Sequence, residues 1–146
     1  MAGRFQVAGC AIIEKEGKVL VTRRSEGRWT GGTWEFVSGR IEQGEDFEQG
    51  LKREVKEEVS LEIELVSPLC VDHFYRGVEK TPENEVMMIT YLCKWVSGEV
   101  KIKVDEQDKY EWVFLKDINL DNYPGFVQYF GKEIEAYLNY EIEKEV

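Results

Sequence analysis

Three glutamates, Glu54, Glu57 and Glu58, stand in the string Arg53-Glu54-Val55-Lys56-Glu57-Glu58, a spacing that gathers carboxylates on one side of a helix. At about 100° per residue they fall within an arc of roughly 100°, while Phe47, Leu51, Val55 and Val59 recur at i, i+4 beside them. One stripe packs and the other faces outward. Like charges this close repel each other on a bare helix, and a bound cation removes that repulsion. Mg²⁺ suits the set, because it takes oxygen ligands, keeps several waters and is commonly held by one or two carboxylates together with substrate phosphates. Zinc does not suit it: His73 is the only histidine and no C-x-x-C pair occurs.

Taken alone, the acidic string reads as a solvated helix face in a chain of which 33% is charged. The surrounding residues change that reading. Gly39, Glu45, Arg53, Glu54, Val55, Glu57, Glu58 and Leu61 fall at the spacing G-x5-E-x7-R-E-U-x-E-E-x-G-U, in which U is aliphatic, and only Ser60 replaces a specified Gly. The segment resembles the Nudix box, and Thr22-Arg23-Arg24 and Trp34-Glu35-Phe36 ahead of it stand as in MutT-type members.

The resemblance implies a Nudix hydrolase that uses Mg²⁺, with Mn²⁺ as the alternative ion, to cleave a phosphoanhydride bond in a nucleoside diphosphate linked to a group X. The favoured branch is a nucleoside triphosphate pyrophosphohydrolase releasing a nucleoside monophosphate and pyrophosphate. An ADP-ribose or nucleotide-sugar pyrophosphatase is the alternative within the enzymes, and a catalytically silent nucleotide-binding module is the alternative outside them. By resemblance, the Gly39 carbonyl with Glu54, Glu57 and Glu58 forms the metal shell, Arg53 pairs with Glu45 to brace the loop, and Arg24 with its neighbour Arg23 contacts the nucleotide. Arginine fits that last role because its planar fork donates two hydrogen bonds at once.

The general base is expected on a late loop. Glu106 precedes Trp112 by the interval that MutT-type members keep before their late-strand Trp, and a carboxylate beside a cation site can take a proton from water. A plain surface residue is an equal reading of Glu106, and Glu111 is a second candidate. Trp34 and Phe36 read as sheet core, while Trp29, Phe74 and Tyr75 are candidates to stack on a base. His73, with no nucleophile motif around it, reads as structural. MutT-type guanine readers place an Asn near a Pro in the C-terminal region. Aligning Tyr123-Pro124-Gly125-Phe126-Val127 there puts Val127 at that position, with Asn119, Asn122 and Gln128 nearby.

Two departures from the pattern bear on the fold. Val37-Ser38 stands where the family commonly has Pro-Gly before Gly39, so the loop entering the box loses a rigid and a permissive residue. Ser60 takes the place of a Gly just past the helix end, where a left-handed residue is expected at a cost of roughly 1 kcal/mol.

The elements that must carry these residues alternate along the chain. Residues 7–13 and 19–24 are β-rich runs separated by a four-residue connection, 14–17, that reads as a hairpin. Residues 34–36, 61–75, 86–96 and 110–115 read as further strands, with a polar loop at 77–85. A last helix over 125–140 puts Phe126, Phe130, Ile134, Tyr137 and Leu138 on one face. The order is α/β and resembles the Nudix α/β/α sandwich, a mixed β-sheet between helices.

With 146 residues, 42% of them hydrophobic, and no linker or repeat, the chain reads as one domain over 1–146. A net charge of −10 argues against a partner that is a nucleic acid polymer, since that affinity comes from a basic surface. The expected partner is a small nucleotide, received by a monomer or a homodimer. Cys10, Cys70 and Cys93 are odd in number and set in apolar runs, which points to buried reduced thiols. No signal peptide and no membrane-spanning stretch is visible, so the cytoplasm is the expected location.

Overall fold

The computed structural model describes residues 4–144. The first two apolar runs form β1 (Gln6–Lys15) and β2 (Lys18–Arg24), joined by Glu16 and Gly17 with φ of 52° and 81°. Two consecutive left-handed residues make the primed turn whose twist matches that of the flanking strands. The connection is shorter than the four residues expected, because Glu14 and Lys15 still pair with Val19 and Lys18.

Next come β3 (Trp34–Glu35), β4 (Val37–Arg40), α1 (Phe47–Val59), β5 (Glu62–Tyr75), β6 (Glu85–Ser97), β7 (Gln107–Val113) and α2 (Phe126–Lys144). The sheet runs β3-β2-β1-β6-β5, with β4 added to β1 and β7 added to β2. β1 and β6 are parallel and the remaining pairs antiparallel, so the sheet is mixed. β7 begins and ends earlier than its apolar run suggested, because its register on β2 pairs Gln107 with Arg24 and Val113 with Val19.

β1 is buried on both faces, which explains its continuous apolar run. Cys10 and Ile12 point into a core with Phe36, Phe126, Ile134 and Tyr137 under α2. Ala11 and Ile13 point the other way, into a core with Leu51, Val55 and Val59 of α1. The result is an α/β/α sandwich. α2 runs four residues past its expected end, and a non-helical Phe130 (φ −130°, ψ 20°) kinks it just after its first turn.

β4 corrects the reading of Val37-Ser38 as loop. Ala11, Cys10, Gly9 and Ala8 of β1 pair with Val37 to Arg40, and Val37 is fully buried in the α1 core. A β-branched residue does what the family's Pro-Gly cannot, filling a pleated, buried surface. Past the end of α1, Ser60 takes φ 65° and ψ 28° and its N–H donates to Lys56 O at 3.0 Å. The left-handed cap expected there is present without its glycine.

Candidate active site

α1 crosses the sheet over a pair of glycines, Gly9 of β1 opposite Gly39 of β4. A Cβ on Gly39 would overlap the Glu54 carboxylate, and one on Gly9 would press on Leu51 Cδ1 at 3.0 Å. The glycines therefore allow the close approach that brings the acidic face of α1 against the end of β4. Asp46 caps the helix, accepting from Gln49 N at 3.3 Å, so the first acidic turn starts at a fixed place.

Arg53 holds the loop to the helix. Its Nε and Nη2 donate to the two oxygens of Glu45 at 2.6 and 2.9 Å, and Nη2 also donates to Arg40 O at 3.1 Å. This bidentate pair holds the Glu45 carboxyl at about 2, well below the usual range. Arg53 Nη1 reaches the other way, to Glu54 at 3.1 Å and Glu57 at 3.2 Å. One guanidinium thus ties loop 40–45 to two of the three helix carboxylates.

Glu58 is the most constrained of the three. Its Oε1 accepts from Gln107 Nε2 at 2.7 Å, while its Oε2 is buried with no protein partner. Burial, followed by the like charges of Glu35 and Glu54, pushes its carboxyl up to about 8. Glu54 is also raised, by burial, against the pull of Arg53. Glu35, 7% exposed, is raised by burial and opposed by Arg24, whose Nη1 lies 3.3 Å away. Of these three carboxyls, Glu54 and Glu35 each have an arginine partner, whereas Glu58 has no ion pair among the described residues.

These residues line one cleft of about 1070 Å³, which collects Arg24, Gly39, Glu54, Glu57, Glu58 and Glu106 from four separate parts of the chain. Glu106 is brought near Glu58, whose carboxyl it helps to raise, and its carbonyl accepts from Ser25 N and Arg28 Nη1, both at 3.0 Å. Glu111 is exposed on β7 and lines a separate depression with Tyr123. Arg23 does not line the cleft: it is held by Asp108 at 2.5 Å and Glu26 at 2.6 Å. Strand alternation separates it from Arg24. Among the described residues, no three His, Cys, Asp or Glu side chains stand together in a group that could by itself hold a metal ion.

Several cleft residues carry no motif that sequence spacing could reveal. Glu35, Arg28, Arg40, Arg76 and Lys103 all line it, and Gln107 stands behind Glu58. Partial desolvation, then the like charges of Arg40 and Arg24, lower Arg76, so three guanidiniums share one rim. Trp29, Phe74, Tyr75 and Gln128 line the cleft, whereas Trp34 and Phe36 are core, packed edge-on against Tyr123 and Phe126. Val127 is half exposed and outside the cleft lining, and Asn119 accepts from Asp121 N as a turn cap. His73 pairs with Glu85 at 2.7 Å away from the cleft. Cys10 and Cys93 are buried, Cys70 is partly buried, and all three thiols are free.

The chain is thus a mixed sheet between two helices, with a glycine-seated acidic helix bordering a charged cleft. Residues 3–131 match the NUDIX domain family, and the chain belongs to that family. It is 38% identical over 110 residues to an isopentenyl-diphosphate Delta-isomerase of Klebsiella pneumoniae, covering 73% of this chain and 59% of that protein. It is 29% identical to an 8-oxo-dGTP diphosphatase of Buchnera aphidicola, covering 78% of this chain and 81% of that one. The fold also matches a MutT protein from Methanosarcina mazei, with a TM-score of 0.73 and 24% identity over 100% of this chain and 99% of that one.

Proposed function

We propose that the chain is a Mg²⁺-dependent pyrophosphohydrolase acting on a nucleoside diphosphate linked to a group X, most simply a nucleoside triphosphate cleaved to monophosphate and pyrophosphate. The observation that carries this reading is the orphaned Oε2 of Glu58, buried among carboxylates in a cleft that Arg24, Arg40 and Arg76 also line. The donor chemistry fits a hard divalent ion: Glu54, Glu57, Glu58 and the Gly39 carbonyl would hold it, with water and substrate phosphate completing the shell. When bound, the ion supplies charge neutralisation at the leaving phosphate.

The chain's own residues do the rest. Arg24, Arg40 and Arg76 face the polyphosphate and offset its charge as it is drawn from water. Arg53 keeps Glu54 and Glu57 in place without lining the cleft. Glu106 takes the proton of the attacking water, its loop pinned by Arg28 and Ser25.

Similarity to the isomerases supports a second reading, in which the same cleft takes isopentenyl diphosphate. Moving a double bond requires an acid and a base around the alkene, whereas the part of the cleft around Glu58 is lined by several carboxylates and arginines, a set suited to a metal-bound polyphosphate. Hydrolysis is therefore favoured. A screen for phosphate and pyrophosphate release with Mg²⁺ or Mn²⁺, across nucleoside triphosphates, ADP-ribose, nucleotide sugars and dinucleoside polyphosphates, tests the proposal. Isomerisation of isopentenyl diphosphate is assayed in parallel. Nucleotide binding without turnover of any member would leave a silent binding module.

A further inference from the structure

The cleft has two chemically different ends. One is the charged wall already described. The other lies on the α2 side of the sheet, where Ala8, Phe74, Met88 and Phe130 give it an apolar surface. Asp72 of β5 also lines the cleft, on a strand that packs beneath α2. Its Oδ1 accepts from His73 N at 2.9 Å, and it forms no ion pair among the described residues.

Next to Asp72 stands a second acid that the reaction does not use. Glu133 of α2 is fully buried, its Oε1 has no partner, and its Oε2 only accepts a weak bond from Cys70 Sγ at 3.8 Å. Burial, followed by the charge of Asp72, pushes its carboxyl up to about 7. Without an ion pair among the described residues, a buried acid holds its proton to a higher pH than an exposed one, and in that form it is an O–H donor. Asp72 stands on the cleft side of that buried acid, and its carboxyl oxygens are acceptors open to a ligand.

We propose that Asp72, backed by Glu133, selects the base of the nucleotide by accepting two hydrogen bonds from adjacent N–H groups of a guanine-type edge. The proposal deepens the reading above and rests on it only for the presence of a nucleotide in the cleft. Phosphates at the arginine rim leave the apolar end for the base. Of the common bases, only guanine presents two neighbouring N–H donors on one edge; adenine and cytosine pair a donor with an acceptor, and uracil and thymine flank one N–H with two acceptors. An acceptor turned toward Asp72 would leave both groups unpaired in a partly dry site.

Binding of GMP and AMP without metal, read by calorimetry, tests this independently of turnover. The wild-type chain is expected to hold GMP roughly tenfold or more tightly than AMP. Asp72→Asn, which offers one donor and one acceptor, should bring that ratio to about one or below while AMP affinity holds or rises. Glu133→Gln keeps an N–H beside Asp72 and should retain the preference, whereas Glu133→Leu should weaken it. Asp72→Ser gives the same comparison if the Asn variant does not fold. A wild-type ratio near one, or an equal loss for both nucleotides in Asp72→Asn, would overturn the proposal. Base preference without hydrolysis in the screen would overturn the hydrolase reading alone.

Discussion

At the scale of single residues, charge without compensation is what marks the site. Glu58 shares a wall with Glu54 and Glu35, and one of its buried oxygens has nothing to bond. Glu58→Gln keeps the volume, and its amide oxygen can still accept from Gln107. The variant should lose at least about 10²-fold in turnover at saturating Mg²⁺ while its metal-free melting temperature at neutral pH holds or rises, since a carboxyl that must take up a proton on burial has been replaced by a neutral amide. Wild-type turnover in the purified variant would dismiss Glu58 as a metal ligand. Glu106 has a different role in the proposal. Glu106→Gln should lower kcat by roughly 10²-fold to 10⁴-fold and flatten the acid limb of the pH–rate profile, with the Mg²⁺ concentration for half activity unchanged. Partial rescue by excess Mg²⁺ would instead make Glu106 a ligand. An unchanged kcat would exclude both roles, and Glu111, on the far side of β7, is the wrong place to look next.

At the scale of elements, α1 was legible from the chain because everything that defines it is local. Its buried stripe and its left-handed end at Ser60 both follow from spacing within one segment. β4 was not, because a four-residue strand has too short a pattern to register and its pairing with β1 is long-range. The cleft divides the same way: the box residues could be read, whereas Glu35, Arg40, Arg76 and Gln107 reach it only through sheet pairing and loop placement. Glu133 falls on the apolar face by its spacing from Phe126, Phe130 and Tyr137, and was hidden because its residue type, a glutamate, is rarely a core residue.

Two predictions test these elements. Ser60→Gly should raise the melting temperature by a few degrees with activity unchanged, because a Cβ is removed from a residue at φ 65°. A lower value would mean that the Ser side chain stabilises the cap. The second concerns α2, whose Glu133 faces Cys70 and Asp72 of β5 and Cys10 of β1, with Lys132 nearby. Its carboxyl rises from 4.5 to about 7 on folding, so the folded state binds the proton more tightly. That contribution is complete below about pH 4.5, fades as pH rises toward 7 and is gone above it. Relative to the wild type, Glu133→Gln should show a flatter melting temperature between those values in a pH series, and parallel curves would refute the assignment.

At the scale of the whole molecule, a chain of net charge −10 gathers its cations where anions would bind and its acids where metal would bind. Any salt that screens self-repulsion will stabilise such a chain somewhat. A specific site adds a saturable term. At about ten times its dissociation constant, Mg²⁺ binding to the folded state alone contributes roughly 1.4 kcal/mol, or about 3–5 °C in a domain of this size. The expected result is a saturating rise in melting temperature with MgCl₂ that NaCl of equal ionic strength does not reproduce. In Glu54→Gln and Glu58→Gln the saturating part should shrink or vanish, while the screening part stays. A rise that matches NaCl point for point, or that survives intact in both variants, would show that the acidic face of α1 is a solvated surface and not a metal site.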